Sequence, residues 1–272
     1  MLFQGCASLF FHPDKEVYRT PDFYSLAYDD VSFSSKDGTV LNAWYIHTNK
    51  EKPQGLLFVA HGNGQNLSAH FTSWVWLVMQ GYDVFIFDYR GYGKSEGESS
   101  IKGSVEDTTA ALAYVEEHYE TQYFVCGQSL GGTMVLNALN GRDNRRVKAA
   151  IIDSTFVGFA DIANDKMSKI WLGWPFQWVP YLSLSGEYDA KDKLDINLPI
   201  LFLHGSVDKT ISPNASWQLY DLSNQPREFW LLKGAEHIQV LDNKNIQKDF
   251  VQFLRSDSAY FNPNYSSMKI YE

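Results

Sequence analysis

The chain has 272 residues, 44% of them hydrophobic and 15% aromatic, enough to build one large core without division into separate domains. A formal net charge of -9 with scattered Lys and Arg leaves no basic field for a phosphate backbone, so nucleic acid is not an expected partner. Two cysteines exclude a disulfide scaffold, and no apolar run reaches the roughly eighteen residues of a transmembrane helix.

In chain order the first feature is Cys6, in "LFQGCASLFFHP". The string is similar to a bacterial lipoprotein cleavage site, with Cys6 as the lipidated residue that holds the protein to a membrane surface in the cell envelope. The other reading takes "LFQG" as the remnant of a viral protease site on a cytoplasmic protein. Residues 1–29 read as an N-terminal arm, 30–255 as a single domain and 256–272 as a C-terminal tail.

"VSFSS" and "TVLNAWYIHT" alternate on either side of "KDG" and predict an antiparallel hairpin. The runs "LLFVAH" (56–61), "DVFIFD" (83–88), "YFVCG" (123–127), "AAIID" (149–153) and "PILFLHG" (199–205) predict buried strands. Cys126 reads there as a small hydrophobe. Stretches 67–79, 104–119, 130–140 and 212–222 carry apolar residues at helical spacing. Ser104 with Asp107 predicts a capping box, and Gly141 a helix stop. This alternation predicts a mostly parallel central sheet flanked by helices. Over 156–198 the chain delays its return to the sheet, which predicts a small helical cap. Trp171, Trp174 and Trp178 would line an apolar substrate cleft in that cap, or form its own core.

"GQSLGG" places Ser129 in a G-x-S-x-G motif with a strand before it and a helix after it. A serine on so sharp a turn has strained backbone, its hydroxyl is exposed, and the amides of the following helix point at the same spot. A hydroxyl nucleophile needs an oriented base. "HGSVD" puts Asp208 just past a strand, and "GAEH" puts His237 just past the next. Both fall at the carboxyl edge of the sheet, in the order Ser, Asp, His that this arrangement uses. Asp153 ends a strand on the same edge and is the competing acid. The Leu130 amide and, from "HGNGQN", the Asn63 amide are the expected oxyanion donors. Neither glycine stretch completes a dinucleotide or P-loop fingerprint, and no HExxH or paired Cys/His spacing occurs, so neither cofactor nor metal is expected.

Together "HGNGQN", "DYRGYGKSEG", "GQSLGG", "HGSVD" and "GAEH" resemble the α/β-hydrolase superfamily, and more narrowly its BEM46-like branch of serine hydrolases with lipoprotein-like bacterial members. The resemblance runs from about Asp30 to Leu254. It implies the α/β-hydrolase fold, with Ser129 as nucleophile, Asp208 as orienting acid, His237 as base, and Asn63 and Leu130 as oxyanion amides. Glu236 departs from the small residue that relatives often carry before the histidine, and "YRGYGKSEG" reads as a structural turn. The expected substrate is a small to medium acyl ester or thioester cleaved through an acyl-enzyme. A peptidase on the same fold and a non-catalytic ligand binder are the alternatives.

Overall fold

The computed structural model describes residues 11–168, 184–256 and 265–272. Cys6 lies outside the described residues, as do Trp171, Trp174 and Trp178 and the rest of 169–183 within the expected cap.

Nine strands form one sheet among the described residues, in the order β1-β2-β4-β3-β5-β6-β7-β8-β9. They are Tyr28–Ser34 (β1), Val40–Ile46 (β2), Leu56–Ala60 (β3), Asp83–Phe87 (β4), Tyr123–Gln128 (β5), Val147–Asp153 (β6), Ile200–Gly205 (β7), Arg227–Leu232 (β8) and Ser266–Tyr271 (β9). The β1/β2 hairpin is antiparallel, β2 also joins β4 antiparallel, and every pairing from β4 to β9 is parallel. Ser266–Tyr271, in the stretch read as a tail, extends the sheet instead. Its side chains alternate between exposed and half-buried, which is why it carries no buried-strand signal.

Central strands are buried on both faces, so their sequences are continuous apolar runs and not alternating ones. In β3, Leu56, Phe58 and Ala60 face one core cluster while Leu57 and Val59 face the other. Helices cover both sides: Leu67–His70 (α1), Val75–Met79 (α2), Ile101–His118 (α3), Leu130–Leu139 (α4), Phe159–Ser168 (α5), Pro213–Leu222 (α6) and Lys244–Arg255 (α7). Cys126 is buried and free, and burial pushes its thiol far above the ordinary range.

Two helix readings are corrected. The stretch 67–79 is not one helix, because a 3₁₀ turn at Phe71–Trp74 separates α1 from α2. Ser104 is not a cap either. Ser100 caps α3, its Oγ accepting from the Gly103 amide at 3.1 Å. Asp107 is buried in the second turn, where it binds Arg90 Nη2 at 2.7 Å and pins the turn after β4 to the helix.

Candidate active site

The site is assembled at the carboxyl ends of β5, β7 and β8. Gln128 pairs with Asp153 and Gly205 with Leu232, so the loops leaving β5, β6, β7 and β8 open on one edge. Ser129 stands between β5 and α4 with φ 53° and ψ -116°, a left-handed conformation costly for a residue with a side chain. Its amide donates to the Asp153 carbonyl at 2.8 Å, which fixes the turn. Glycine is required on both flanks: a Cβ at Gly127 would run into the Gly131 carbonyl, and one at Gly131 into the carbonyls of Ala60 and His61.

The three residues singled out from sequence meet. His237 Nε2 lies 3.0 Å from Ser129 Oγ, and its Nδ1 lies 2.7 Å from Asp208 Oδ2. Because Nδ1 keeps its proton and donates it in a hydrogen bond to the carboxylate, Nε2 carries the lone pair and accepts from the serine hydroxyl. Asp208 Oδ1 accepts from the amides of Thr210 at 2.8 Å and Ile211 at 3.0 Å. Burial works against the Asp208 charge, yet the bonds from His204, His237 and the Ile211 amide hold its carboxyl well below the usual range.

His204 was not singled out from sequence, where it reads as the end of a buried strand. It is fully buried, with Nε2 3.2 Å from Asp208 Oδ2 and 3.0 Å from the Ile211 carbonyl, and Nδ1 2.7 Å from Ser216 Oγ. Two acceptors facing Nε2 place the proton there, so the Ser216 hydroxyl donates to Nδ1. Asp153, the competing acid, binds Gln128 Nε2 at 3.2 Å and the Ser154 hydroxyl at 2.9 Å. Its complete burial raises its pKa.

Asn63 and Leu130 border the same cleft of about 230 Å³ as Ser129 and His237. The remaining wall is apolar at Phe156, Ile162 and Ile211, polar at Thr210, and basic at His12 and Lys166. Glu236 is exposed and does not line the cleft.

The loop carrying Asn63 is held from outside by the N-terminal arm. Asn63 Oδ1 accepts from the His12 amide at 2.8 Å and the Tyr92 hydroxyl at 2.9 Å. Asn66 Nδ2 donates to Asp14 Oδ1 at 2.8 Å and the Glu16 carbonyl at 2.7 Å, while its Oδ1 accepts from the Ser68 amide. The Gly93 amide donates to the Asp14 carbonyl at 2.8 Å, so part of "YRGYGKSEG" is an anchor for the arm. His61 and His70 stack beneath the loop, and His70 Nε2 lies 3.1 Å from the Gly64 carbonyl. Burial, then the neighbouring His61, pushes His70 down to about 3, so it supports the loop as a neutral ring.

A mostly parallel sheet with a serine elbow after β5 and loops converging from β7 and β8 defines the α/β-hydrolase class. The family model described as "Serine aminopeptidase, S33" matches residues 51–194. The protein YfhR of Escherichia coli is 33% identical over 264 residues, covering 92% of this chain and 87% of that protein. Protein bem46 of Schizosaccharomyces pombe is 28% identical over 238 residues, covering 81% and 74%. Among solved structures, the Pyrococcus furiosus esterase Pf2001 superposes with a TM-score of 0.71 at 20% identity, covering 89% of this chain and 97% of that one, a likeness of fold. The chain belongs to the α/β-hydrolase superfamily, in its BEM46-like branch.

Proposed function

We propose that the protein is a serine hydrolase that cleaves carboxylic esters or thioesters through an acyl-enzyme on Ser129. The observation that carries this reading is the relay of 3.0 Å from Ser129 Oγ to His237 Nε2 and 2.7 Å from Nδ1 to Asp208, built on the strained elbow. Ser129 Oγ attacks the acyl carbonyl as its proton passes to His237 Nε2. The oxyanion is stabilised by the Leu130 and Asn63 amides at the start of α4 and in the loop after β3. Collapse expels the alcohol or thiol, which takes the proton from His237. Water then attacks the acyl-enzyme along the same proton route and releases the acid. A fluorophosphonate probe tests the nucleophile. Stoichiometric labelling that disappears in Ser129→Ala supports the reading; folded protein that stays unlabelled and hydrolyses no p-nitrophenyl ester is a binder.

The description of the matching family model favours a second reading, an aminopeptidase. Such an enzyme holds a substrate ammonium, which calls for a carboxylate in the cleft. None of the described lining residues is Asp or Glu, and the stretch 169–183 contains neither. Turnover of alanine p-nitroanilide above that of p-nitrophenyl butyrate would reverse this preference.

From the sequence we also propose that Cys6 is lipidated. His12 lines the cleft, and it follows Cys6 by six positions, a separation of at most about 20 Å when extended. A lipid at Cys6 therefore holds the cleft mouth close to the bilayer. Membrane-bound protein that becomes soluble on Cys6→Ser supports this, and soluble wild-type protein from the native gene refutes it.

A further inference from the structure

We infer that the substrate of this site is an acyl ester that itself carries an anionic group, a carboxylate or a phosphate, which Lys166 and His12 receive. The inference rests on the ester hydrolase reading above and specifies its substrate class. Two basic residues from separate elements, His12 from the arm and Lys166 from α5, border the cleft that holds Ser129 and His237, and both are exposed at its rim. Neither the Lys166 ammonium nor the His12 ring has an ion-pair or hydrogen-bond partner among the described residues.

The acidic excess of the chain makes this arrangement informative. Acidic residues outnumber basic ones, 32 Asp and Glu against 23 Lys and Arg, yet neither Asp nor Glu is among the described residues that line this cleft. Lys191 in the neighbouring groove lies 3.5 Å from Asp189. Asp161 and Asp165 line that neighbouring groove and not the cleft. A cleft of one sign, with low-dielectric walls at Phe156, Ile162 and Ile211, concentrates field on an anion inside it. Those walls suit an aliphatic segment, and the basic pair suits a charge beside it.

The anion has two chemical sources, a dicarboxylic half-ester with its charge on the acyl side or a phosphorylated alcohol with its charge on the leaving side. Two matched pairs separate them: mono-p-nitrophenyl glutarate against p-nitrophenyl butyrate, and butyryl glycerol phosphate against butyryl glycerol. The expected result is a kcat/KM ratio above one, up to about fivefold, in favour of the charged member of one pair, as an exposed ion pair provides. That ratio falls toward one in Lys166→Ala or in 0.5 M salt, is retained in Lys166→Arg, and inverts in Lys166→Glu. Ratios at or below one in both pairs for the wild type, or a ratio indifferent to Lys166→Ala, overturn the inference while leaving the hydrolase reading intact. Failure to turn over any of the four esters, together with no fluorophosphonate labelling, overturns the hydrolase reading and this one with it.

Discussion

His204 and His237 share one carboxylate oxygen: Asp208 Oδ2 lies 2.7 Å from His237 Nδ1 and 3.2 Å from His204 Nε2. His204 is buried away from the cleft, so it acts through Asp208 and not on substrate. A hydrogen bond to a charged group is worth about 1.5–3 kcal/mol. His204→Ala is therefore expected to lower kcat by about 10- to 100-fold with little change in KM, and His204→Gln to recover part of the loss. Steady-state kinetics on an ester, with a melting curve to establish folding, check this; wild-type kcat in folded His204→Ala would refute the positioning role.

The two buried acids on this edge are separated by paired substitutions. Asp208→Asn is expected to lower kcat by about 10⁴-fold, since the base is left in the wrong tautomer. Asp153→Asn keeps a side chain that can bind Gln128 and Ser154 and removes a carboxyl that burial makes costly to ionise. It is expected to retain most activity. The reverse outcome would exchange the roles of the two acids.

The same acids give opposite slopes of stability against pH. The Asp208 carboxyl is held below its unfolded value of about 4. In the acid range just below that value the unfolded chain binds the extra proton, so stability rises with pH there. Its contribution is fully present above about pH 4 and is lost as pH falls further. The Asp153 carboxyl is raised, so its contribution is largest below about pH 4 and declines as pH rises through its folded value. Urea midpoints measured from pH 2.5 to 6 are expected to show a shallower acid loss in Asp208→Asn, and no such flattening in Asp153→Asn.

Removing the clamp on the loop that carries Asn63 should cost both stability and rate. Asn66 caps α1 and ties the loop to Asp14 and Glu16. Loss of a cap alone costs about 1–2 kcal/mol. Asn66→Ala is expected to melt earlier and to turn over more slowly at saturating ester, because the Asn63 amide loses its support. Unchanged kcat in a destabilised variant would confine Asn66 to a structural role.

At the elbow, Gly131→Ala forces a methyl into the Ala60 and His61 carbonyls. Overpacking a closed core costs about 1–3 kcal/mol, and here the displaced atoms are backbone next to the oxyanion loop. A lower melting temperature and slower fluorophosphonate labelling are expected together. Normal labelling at wild-type stability would mean that the loop yields freely.

What was readable from sequence is what depends on local chemistry and on order along the chain. Buried strands announce themselves as apolar runs, and the elbow as glycines around Ser129. Asp208 and His237 follow because parallel strands deliver their loops to one edge. The rest depends on partners distant in sequence. Ser104 and Asp107 have the spacing of a cap, but a second serine at position 100 takes that role and Arg90 claims the aspartate. β9 alternates weakly because it is an edge strand. His204 is recognisable only once β7 places it behind Asp208. The hold of the arm on Asn63 and Asn66 spans about fifty positions and leaves no local pattern. α7 did carry a legible signal, with Ile246, Phe250, Val251, Phe253 and Leu254 on its buried face.

The arm gives the molecule a handle beside its working face. Between His12 and Glu16 it is fastened to Asn63, Asn66 and Gly93, so a pull on the arm loads the Asn63 loop before it reaches β1. β9 lies at the opposite margin of the sheet from β1. Grip from that side is transmitted through β8 and not through the arm. The arm and β9 are thus mechanically unequal: one is in series with the Asn63 loop, and the other attaches at the far margin of the sheet.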